Sequence, residues 1–170
     1  MNGHYPHPMD DRPSRELQHG APATLDLVDL RRGAADRGTW MPFASSGAYE
    51  HPHWWNRVPY AAADPWYVQV LEAGIEVGRV QLDQKVHIEH YANVPAIGSE
   101  RLEIQLIEVA AAARGRGVGT RVVRGLAERH PDRRLVAYSE GADGFWASLG
   151  WSRFDNPDGR YRALFIQPVR

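Results

Sequence analysis

Hydrophobic and polar positions alternate along several short stretches of the chain, which is typical of half-buried β-strands. In the first two thirds of the chain this pattern predicts four strands, at Thr24–Leu30, Trp66–Leu71, Ile75–Leu82 and Leu102–Val109. Ala73-Gly74 joins the second and third of these as a tight hairpin turn. A helical period then runs from Gly117 to His130, in which Val118, Val122 and Leu126 form an apolar stripe, and Pro131 ends the helix.

In the remainder of the chain, stretches with the strand pattern alternate with one short stretch with the helical pattern. It predicts a strand at Arg134–Ser139, a short helix at Asp143–Leu149, and closing strands near Trp151–Phe154 and Arg162–Ile166. A strand, a helix and a second strand in this order favour a parallel pair with a right-handed crossover. With the hairpin upstream, the sequence predicts a mixed α/β sheet.

Three segments lack a clear period. Residues 1–22 are rich in proline, histidine and charge, and we expect a disordered tail there, followed by one domain over residues 23–170. Residues 31–65 are irregular and rich in aromatic side chains, and residues 83–100 are mostly polar.

Composition narrows the chemistry. The chain has 170 residues, a formal net charge of −1 and no cysteine, so disulfides, thiolate zinc sites and cysteine nucleophiles are excluded. The balanced charge argues against binding to nucleic acid. No apolar run reaches the roughly 18 residues of a membrane span, and the first residues lack a secretory pattern. We therefore expect a cytoplasmic protein without a membrane partner.

Three glycines alternate between the fourth strand and the long helix, in the sequence Arg114-Gly-Arg-Gly-Val-Gly119. Glycines let backbone amides approach a ligand, and the first amides of a helix lack intrahelical partners and carry the positive end of its dipole. Together with Arg114 and Arg116, these amides favour an anion such as a phosphate. The plainer interpretation is a glycine-rich connection with two solvated arginines.

Two common phosphate-binding loops fit this turn poorly. A Walker A loop needs lysine and then serine or threonine after its last glycine, whereas Thr120 and Arg121 follow Gly119. A dinucleotide loop has the spacing GxGxxG directly after a strand, with an acidic residue about 20 positions later. Glu140 suits that acid, but the spacing here is GxGxG and several residues separate it from the strand. The dinucleotide interpretation therefore stays open as the weaker alternative.

The turn matches the (Q/R)xxGxG motif, and its surroundings extend the match. Leu106-Ile-Glu-Val109 precedes it as a strand, and Phe145-Trp-Ala-Ser-Leu-Gly-Trp151 is similar to an FYxxLGF segment. On these residues the chain resembles the GNAT superfamily of acyl-CoA-dependent N-acyltransferases across residues 102–154. Residues 1–65 add only a first strand where the family has one.

The resemblance implies a fold and a coenzyme. The fold is a GNAT-like, mostly antiparallel mixed sheet with flanking helices, in which a parallel pair of strands splays around the cofactor. The cofactor is acetyl-CoA, used as a co-substrate without a metal. The implied cofactor-binding residues are Ile107, Val109, Arg114, Gly115, Arg116, Gly117, Val118, Gly119, Thr120, Ser139, Phe145 and Trp146.

These residues have different implied roles. The backbone of Ile107 and Val109 would pair with the pantetheine arm, and the amides of residues 115–120 would hold the pyrophosphate. Ser139 stands where the family often has an asparagine that contacts the cofactor arm. The two aromatic residues at 145 and 146 would pack near the cofactor, or simply fill the core.

The resemblance also implies direct acyl transfer within a ternary complex. Glu103 occupies the position at which some family members carry a glutamate general base. Glu108 is the neighbouring candidate, although strict alternation along the strand would put Glu103 and Glu108 on opposite faces. Glu103 is preferred because of its place in the motif. Trp146 stands where the family often supplies a tyrosine as general acid, and indole is not a practical proton donor. Tyr138 is the first candidate to replace that tyrosine, with Ser139 second and solvent as the alternative.

Aromatic and histidine side chains elsewhere leave several interpretations open. His51 and His53 have no clear third ligand, so we expect no metal site. His87 and His90 are candidate bases if they lie near a cleft. The rings between Trp40 and Tyr60 line an acceptor pocket, or they fill the core or cover a homodimer interface; the sequence does not separate these.

The sequence thus predicts an N-acetyltransferase that moves an acetyl group from acetyl-CoA to a primary amine of a small molecule or peptide. Glu103 assists deprotonation and Tyr138 supplies a proton. The alternatives are an acyl-CoA-binding module with weak catalysis and a dinucleotide-binding domain.

Overall fold

The computed structural model describes residues 23–33, 38–58 and 63–169. The predicted tail, residues 1–22, lies outside the described residues. Within them the elements, in chain order, are β1 (Leu25–Arg31), α1 (Pro52–Trp55), β2 (Trp66–Glu72), β3 (Ile75–Asp83), β4 (Arg101–Val109), α2 (Val118–Arg129), β5 (Arg134–Tyr138), α3 (Asp143–Ser148), β6 (Ser152–Phe154) and β7 (Leu164–Ile166). Every predicted strand and helix is confirmed, with its ends shifted by no more than two residues.

The strands form one mixed sheet in the order β1-β2-β3-β4-β5-β7-β6. Every neighbouring pair is antiparallel except β4 and β5, which run parallel. The predicted fold class, a mostly antiparallel mixed sheet with one parallel pair and flanking helices, is confirmed.

Helix α2 covers one face of the sheet. Its apolar stripe is buried, as the helical period predicted. Gly125 lies against Leu27 of β1, where an added Cβ would come within 3.1 Å of a leucine methyl carbon. The indole of Trp66 meets the His130 ring edge-on at the end of the helix. The buried side chains between α2 and the sheet are part of the main hydrophobic core.

The irregular segment 38–58 covers the opposite face. Phe43, Tyr49 and Trp55 are buried there, and Phe43 packs edge-on against both Trp55 and Tyr67 of β2. The guanidinium of Arg79 on β3 lies between the rings of Phe43 and Tyr49, 4.5 and 4.2 Å from their centroids. Many of the rings between 40 and 58 therefore fill the core.

Residues 84–100 form a second, smaller core. The segment has no helix or strand, yet it buries Val86, Ile88, Tyr91 and Ile97. These side chains pack against one face of the β5–β7 pair. The polar appearance of this stretch concealed four core positions.

Strand β4 contains a β-bulge that changes which side chains share a face. Its register with β3 is regular from Val109 to Leu106 and then skips Gln105, so that Ile104 pairs with the next residue of β3. A bulge bends the strand and increases its local twist. It also offsets the alternation by one residue, and this places Glu103, Leu106 and Glu108 on the same face.

Candidate active site

Strands β4 and β5 separate directly beside the bulge. Their parallel ladder has three pairs, and the last joins Glu103 to Val136. Beyond that pair β4 continues to Val109, while β5 continues to Tyr138 as the partner of β7. The edge of β4 that carries Ile107 and Val109 therefore faces the opening between the two strands.

The glycine turn lies at the far end of β4. Ala110 and Ala111 donate backbone hydrogen bonds to the carbonyls of Val77 and Ala48, at 2.9 Å each, and fix the exit of the strand. A short 3₁₀ turn over Ala111–Ala113 follows. Gly115 and Gly117 have φ of 73° and 70°, in the left-handed region that favours glycine.

Helix α2 begins immediately after Gly117. Its first intrahelical bond runs from the Arg121 amide to the Gly117 carbonyl at 3.1 Å. The amides of Val118, Gly119 and Thr120 precede that bond and are the free donors of the helix N-terminus. The turn therefore presents the donors that an anion needs.

The arginines of the turn are held by carboxylates. Arg114 donates through Nη1 to Glu50 at 2.7 Å and through Nε to the Val109 carbonyl at 3.1 Å. Arg116 donates to Glu72 at 2.8 Å. Both arginines are therefore ion-paired in this structure.

A cavity of about 730 Å³ lies on the face opposite to α2. It is lined by side chains of β3, β4 and β5, by α1 and Arg57 just after it, and by the loops that precede β4, follow β5 and precede β7. Glu103 and Tyr138 both line it, so the structure brings the two predicted catalytic residues into one cavity. The residues that also line it include His53, Trp54, His87 and His90. The aromatic segment therefore supplies one wall of this cavity as well as part of the core.

Glu103 is buried in that cavity wall. Its residue is 8% exposed, and it pairs across the ladder with Asp83, whose side chain lines the same cavity. Burial, reinforced by the charge of Asp83, raises the pKa of Glu103 to about 7. A carboxylate with such a pKa accepts protons efficiently near neutral pH. Sequence reasoning missed Asp83, although its place at the end of the predicted hairpin strand was a usable signal.

Glu108 has the opposite environment on the same face. Its carboxylate accepts hydrogen bonds from the Trp55 indole at 2.7 Å, from the Glu50 amide at 2.7 Å and from the His51 amide at 3.0 Å. Burial alone would raise the pKa of Glu108, but these donors outweigh burial and the pKa is lowered.

The expectation that the two glutamates occupy opposite faces was wrong, because the bulge at Gln105 adds one residue between them. The contacts agree with this register. Glu108 binds the segment around α1, and Glu103 shares its cavity with side chains of that segment. Glu103 faces the cavity, and Glu108 anchors one cavity wall.

Tyr138 holds its proton at neutral pH. Burial and the nearby charge of Glu103 raise the pKa of the Tyr138 phenol. The hydroxyl donates a 2.7 Å hydrogen bond to the His87 carbonyl. To protonate a leaving group it would have to exchange this partner.

The other predicted cofactor residues lie around α3. The Ser139 hydroxyl accepts a 3.1 Å bond from the Ala142 amide, just before the helix. Phe145 packs on Gly119, where an added Cβ would lie 3.3 Å from the ring. Trp146 is 3% exposed and belongs to the main core, in contact with Trp151.

His51 of the His51/His53 pair contacts Glu108 and Trp54. Nδ1 of His51 lies 3.2 Å from the Glu108 carboxylate, and the His51 ring stacks on Trp54 at 4.2 Å between centroids. Among the described residues, no group of three or more histidine, aspartate or glutamate side chains is placed to hold a metal ion. No helix in the described ranges is long and apolar enough to span a membrane.

The solved structures to which this chain is similar include three acetyltransferases. An acetyltransferase from Thermus thermophilus is 16% identical over 64% of this chain and 67% of that chain, with a TM-score of 0.49. An N-acetyltransferase from Staphylococcus aureus is 18% identical over 62% and 68%, with a TM-score of 0.43. PaiA N-acetyltransferase from Thermoplasma acidophilum, in complex with coenzyme A, is 10% identical over 61% and 60%, with a TM-score of 0.43.

No residue assignment follows from likenesses of this size. No protein-family model matches the chain, and no curated protein matches it. The function is therefore inferred from this chain's own motif and site.

Proposed function

We propose that this chain is a GNAT-type N-acetyltransferase that transfers an acetyl group from acetyl-CoA directly to a primary amine. The observation that carries the proposal is the position of Glu103. This buried carboxylate has a pKa of about 7 and lines a cavity beside the point at which β4 and β5 separate. The glycine turn suited to an anion lies at the other end of the same strand.

In this proposal the coenzyme lies along the open edge of β4. The amides of Val118, Gly119 and Thr120, together with Gly115, Arg116 and Gly117, hold the pyrophosphate. The backbone of Ile107 and Val109 pairs with the pantetheine arm in the manner of an added strand. The Val109 carbonyl has a second lone pair available beside its bond from Arg114. Ser139, Phe145 and Trp146 contact the coenzyme or support the residues that do.

The amine acceptor enters through the cavity. Glu103 accepts a proton from the ammonium group, directly or through a water, and the neutral amine nitrogen forms a bond to the thioester carbonyl carbon. The carbon–sulfur bond then breaks, and the thiolate takes a proton from Tyr138 or from solvent. The nitrogen gives up its second proton to the Tyr138 phenolate so formed or to solvent, and Glu103 releases its proton to solvent. The products are the N-acetyl amine and coenzyme A.

The test measures thiol release from acetyl-CoA with and without added amines. We expect release to depend on the amine and to follow a pH profile whose acid limb lies near 7. Glu103→Gln should lower the rate by roughly 10²- to 10⁴-fold and remove that limb, with acetyl-CoA binding retained. An unchanged pH profile in the Gln variant would eliminate Glu103 as the base.

A second candidate is a coenzyme-binding module without turnover. It is favoured by the burial of Trp146 in the core at the position where the resemblance leads one to expect a catalytic tyrosine. Stoichiometric acetyl-CoA binding with no thiol release across a broad amine panel would support this candidate instead.

A further inference from the structure

Most arginines in the described part of the chain are neutralised by carboxylates or carbonyls of the chain itself. Among the described residues, three arginines make no hydrogen bond or ion pair: Arg57, Arg124 and Arg160. Arg57 and Arg160 both line the cavity that contains Glu103, while Arg124 lies on the outer side of α2. The side chain of Lys85, the one lysine of the sequence, also lines the cavity and also has no partner among the described residues.

The acids of the cavity do not balance these cations. Glu140 is paired with Arg162, so that pair contributes no net charge. Asp83 contributes one formal negative charge, and Glu103 is partly protonated at neutral pH because burial raises its pKa to about 7. Unpaired positive charge therefore exceeds negative charge in the cavity proposed to receive an amine. A simple cationic amine would meet repulsion from these groups as well as attraction by the two acids.

One wall of the cavity is aromatic. Successive rings of Tyr138, Tyr91, His90 and Tyr161 lie 5.8, 5.0 and 4.6 Å apart between centroids. Such a wall suits the apolar body of an acceptor. In an acceptor that carries both charges, the amine is attracted by the acids of the cavity and the group of opposite charge by its unpaired arginines.

Resting on the proposed function, we infer that the acceptor is an amine that also carries an anionic group, a carboxylate or a phosphate, which Arg57 and Arg160 bind while the amine lies at Glu103. Guanidinium groups match both anions with paired hydrogen bonds. Lys85 adds positive charge to the same cavity.

The experiment uses the full chain and amines in matched pairs. L-phenylalanine is compared with 2-phenylethylamine, which lacks the carboxylate, and O-phosphoethanolamine is compared with ethanolamine, which lacks the phosphate. Acetyl transfer is followed by thiol release, and binding is measured separately by calorimetric titration. We expect the anionic member of at least one pair to have at least a roughly tenfold higher kcat/KM and a lower Kd. The better pair distinguishes a carboxylate acceptor from a phosphate acceptor.

Arg57→Ala and Arg160→Ala test the anion site, and Arg124→Ala is the matched control because it removes an equally unpaired arginine away from the cavity. Each cavity variant should raise the KM and Kd for the anionic amine by about tenfold or more, since a hydrogen bond to a charged group is lost. The KM for acetyl-CoA should stay within about twofold, the rate with the partner amine that lacks the anionic group should not fall, and Arg124→Ala should change nothing.

The outcomes separate this inference from the proposed function. Turnover that is equal for both members of each pair, or unaffected by the cavity variants, overturns the inference and leaves the acetyltransferase proposal standing. Arginine-dependent binding of an anionic amine without thiol release supports the anion site but overturns its role in acetyl transfer. Absence of both binding and turnover across the two pairs overturns the inference, and acetyl-CoA binding with no thiol release across a broader amine panel then favours the coenzyme-binding module.

Discussion

Glu103 and Glu108 are the same residue type on the same face of β4, and their pKa values shift in opposite directions. Burial and the charge of Asp83 destabilise the ionised form of Glu103, whereas hydrogen bonds from Trp55 and from two backbone amides stabilise the ionised form of Glu108. The same substitution, glutamate to glutamine, therefore has opposite expected effects on stability.

Glu103→Gln should stabilise the fold at high pH relative to the original chain. The pKa of Glu103 is about 7 in the folded state, against an ordinary value of 4.5. The folded state therefore binds more protons between these two pH values, and its stability falls as pH rises through them. Glutamine removes that loss. We therefore expect the difference in free energy of unfolding, variant minus original chain, to grow by about 2–3 kcal/mol from pH 5 to pH 8. Urea titrations at both pH values measure it, and a constant difference would contradict the raised pKa.

Glu108→Gln should destabilise the fold at neutral pH. The pKa of Glu108 is lowered in the folded state. Its ionised carboxylate therefore stabilises the fold at pH values above the pKa of the unfolded chain, and this stabilisation is lost as the pH falls through the pKa of the folded state. Glutamine has one acceptor oxygen where the carboxylate uses two, so we expect a loss of about 1–3 kcal/mol at pH 7 that shrinks in acid. Urea titration of this variant beside Glu103→Gln is its own control, because equal effects of the two substitutions would contradict both assignments.

At the level of elements, the start of α2 depends on a left-handed residue. Gly117 has φ of 70° and ψ of 15° at the N-cap, a conformation that costs a side-chain-bearing residue about 1–2 kcal/mol. Gly117→Ala should therefore lower the free energy of unfolding by about that amount and weaken binding of coenzyme A. Gly144→Ala is the control, since Gly144 lies in α3 with a negative φ and with open space around its Cβ position. That variant should be neutral or more stable by up to about 1 kcal/mol. A Gly117→Ala chain with unchanged stability would show that the turn can relax.

The elements themselves were readable from the sequence, because alternation and helical period report burial directly. The register between β3 and β4, and with it the face on which each β4 side chain lies, could not be predicted. The position of the bulge depends on pairing with β3, and no local pattern at Gln105 marks it. The residues that line the cavity could not be predicted for a related reason. Asp83, Arg57 and Arg160 come to line one cavity only after irregular segments fold over the sheet. What the sequence did indicate about the site came from the glycine turn and from Glu103 within the resemblance.

For the whole molecule, coenzyme binding should appear as added stability. A ligand at about 100 times its Kd stabilises a folded protein by about 2.7 kcal/mol. For a chain of this size that corresponds to an increase of roughly 5–10 °C in Tm. We expect this increase with acetyl-CoA and with coenzyme A in a thermal unfolding experiment, and no comparable increase with NAD at the same concentration. A larger shift with NAD would favour the dinucleotide-binding alternative.

The single extra residue in β4 has two effects that a deletion would separate. Without Gln105, the two glutamates would stand an even number of positions apart, and regular alternation would still aim both carboxylates at the cavity face. The strand would lose its kink, however, and the parallel ladder that now stops at Glu103 would be able to extend towards Ile107. Such a shortened protein would keep its acid–base group and its wall anchor while closing the gap between the two strands.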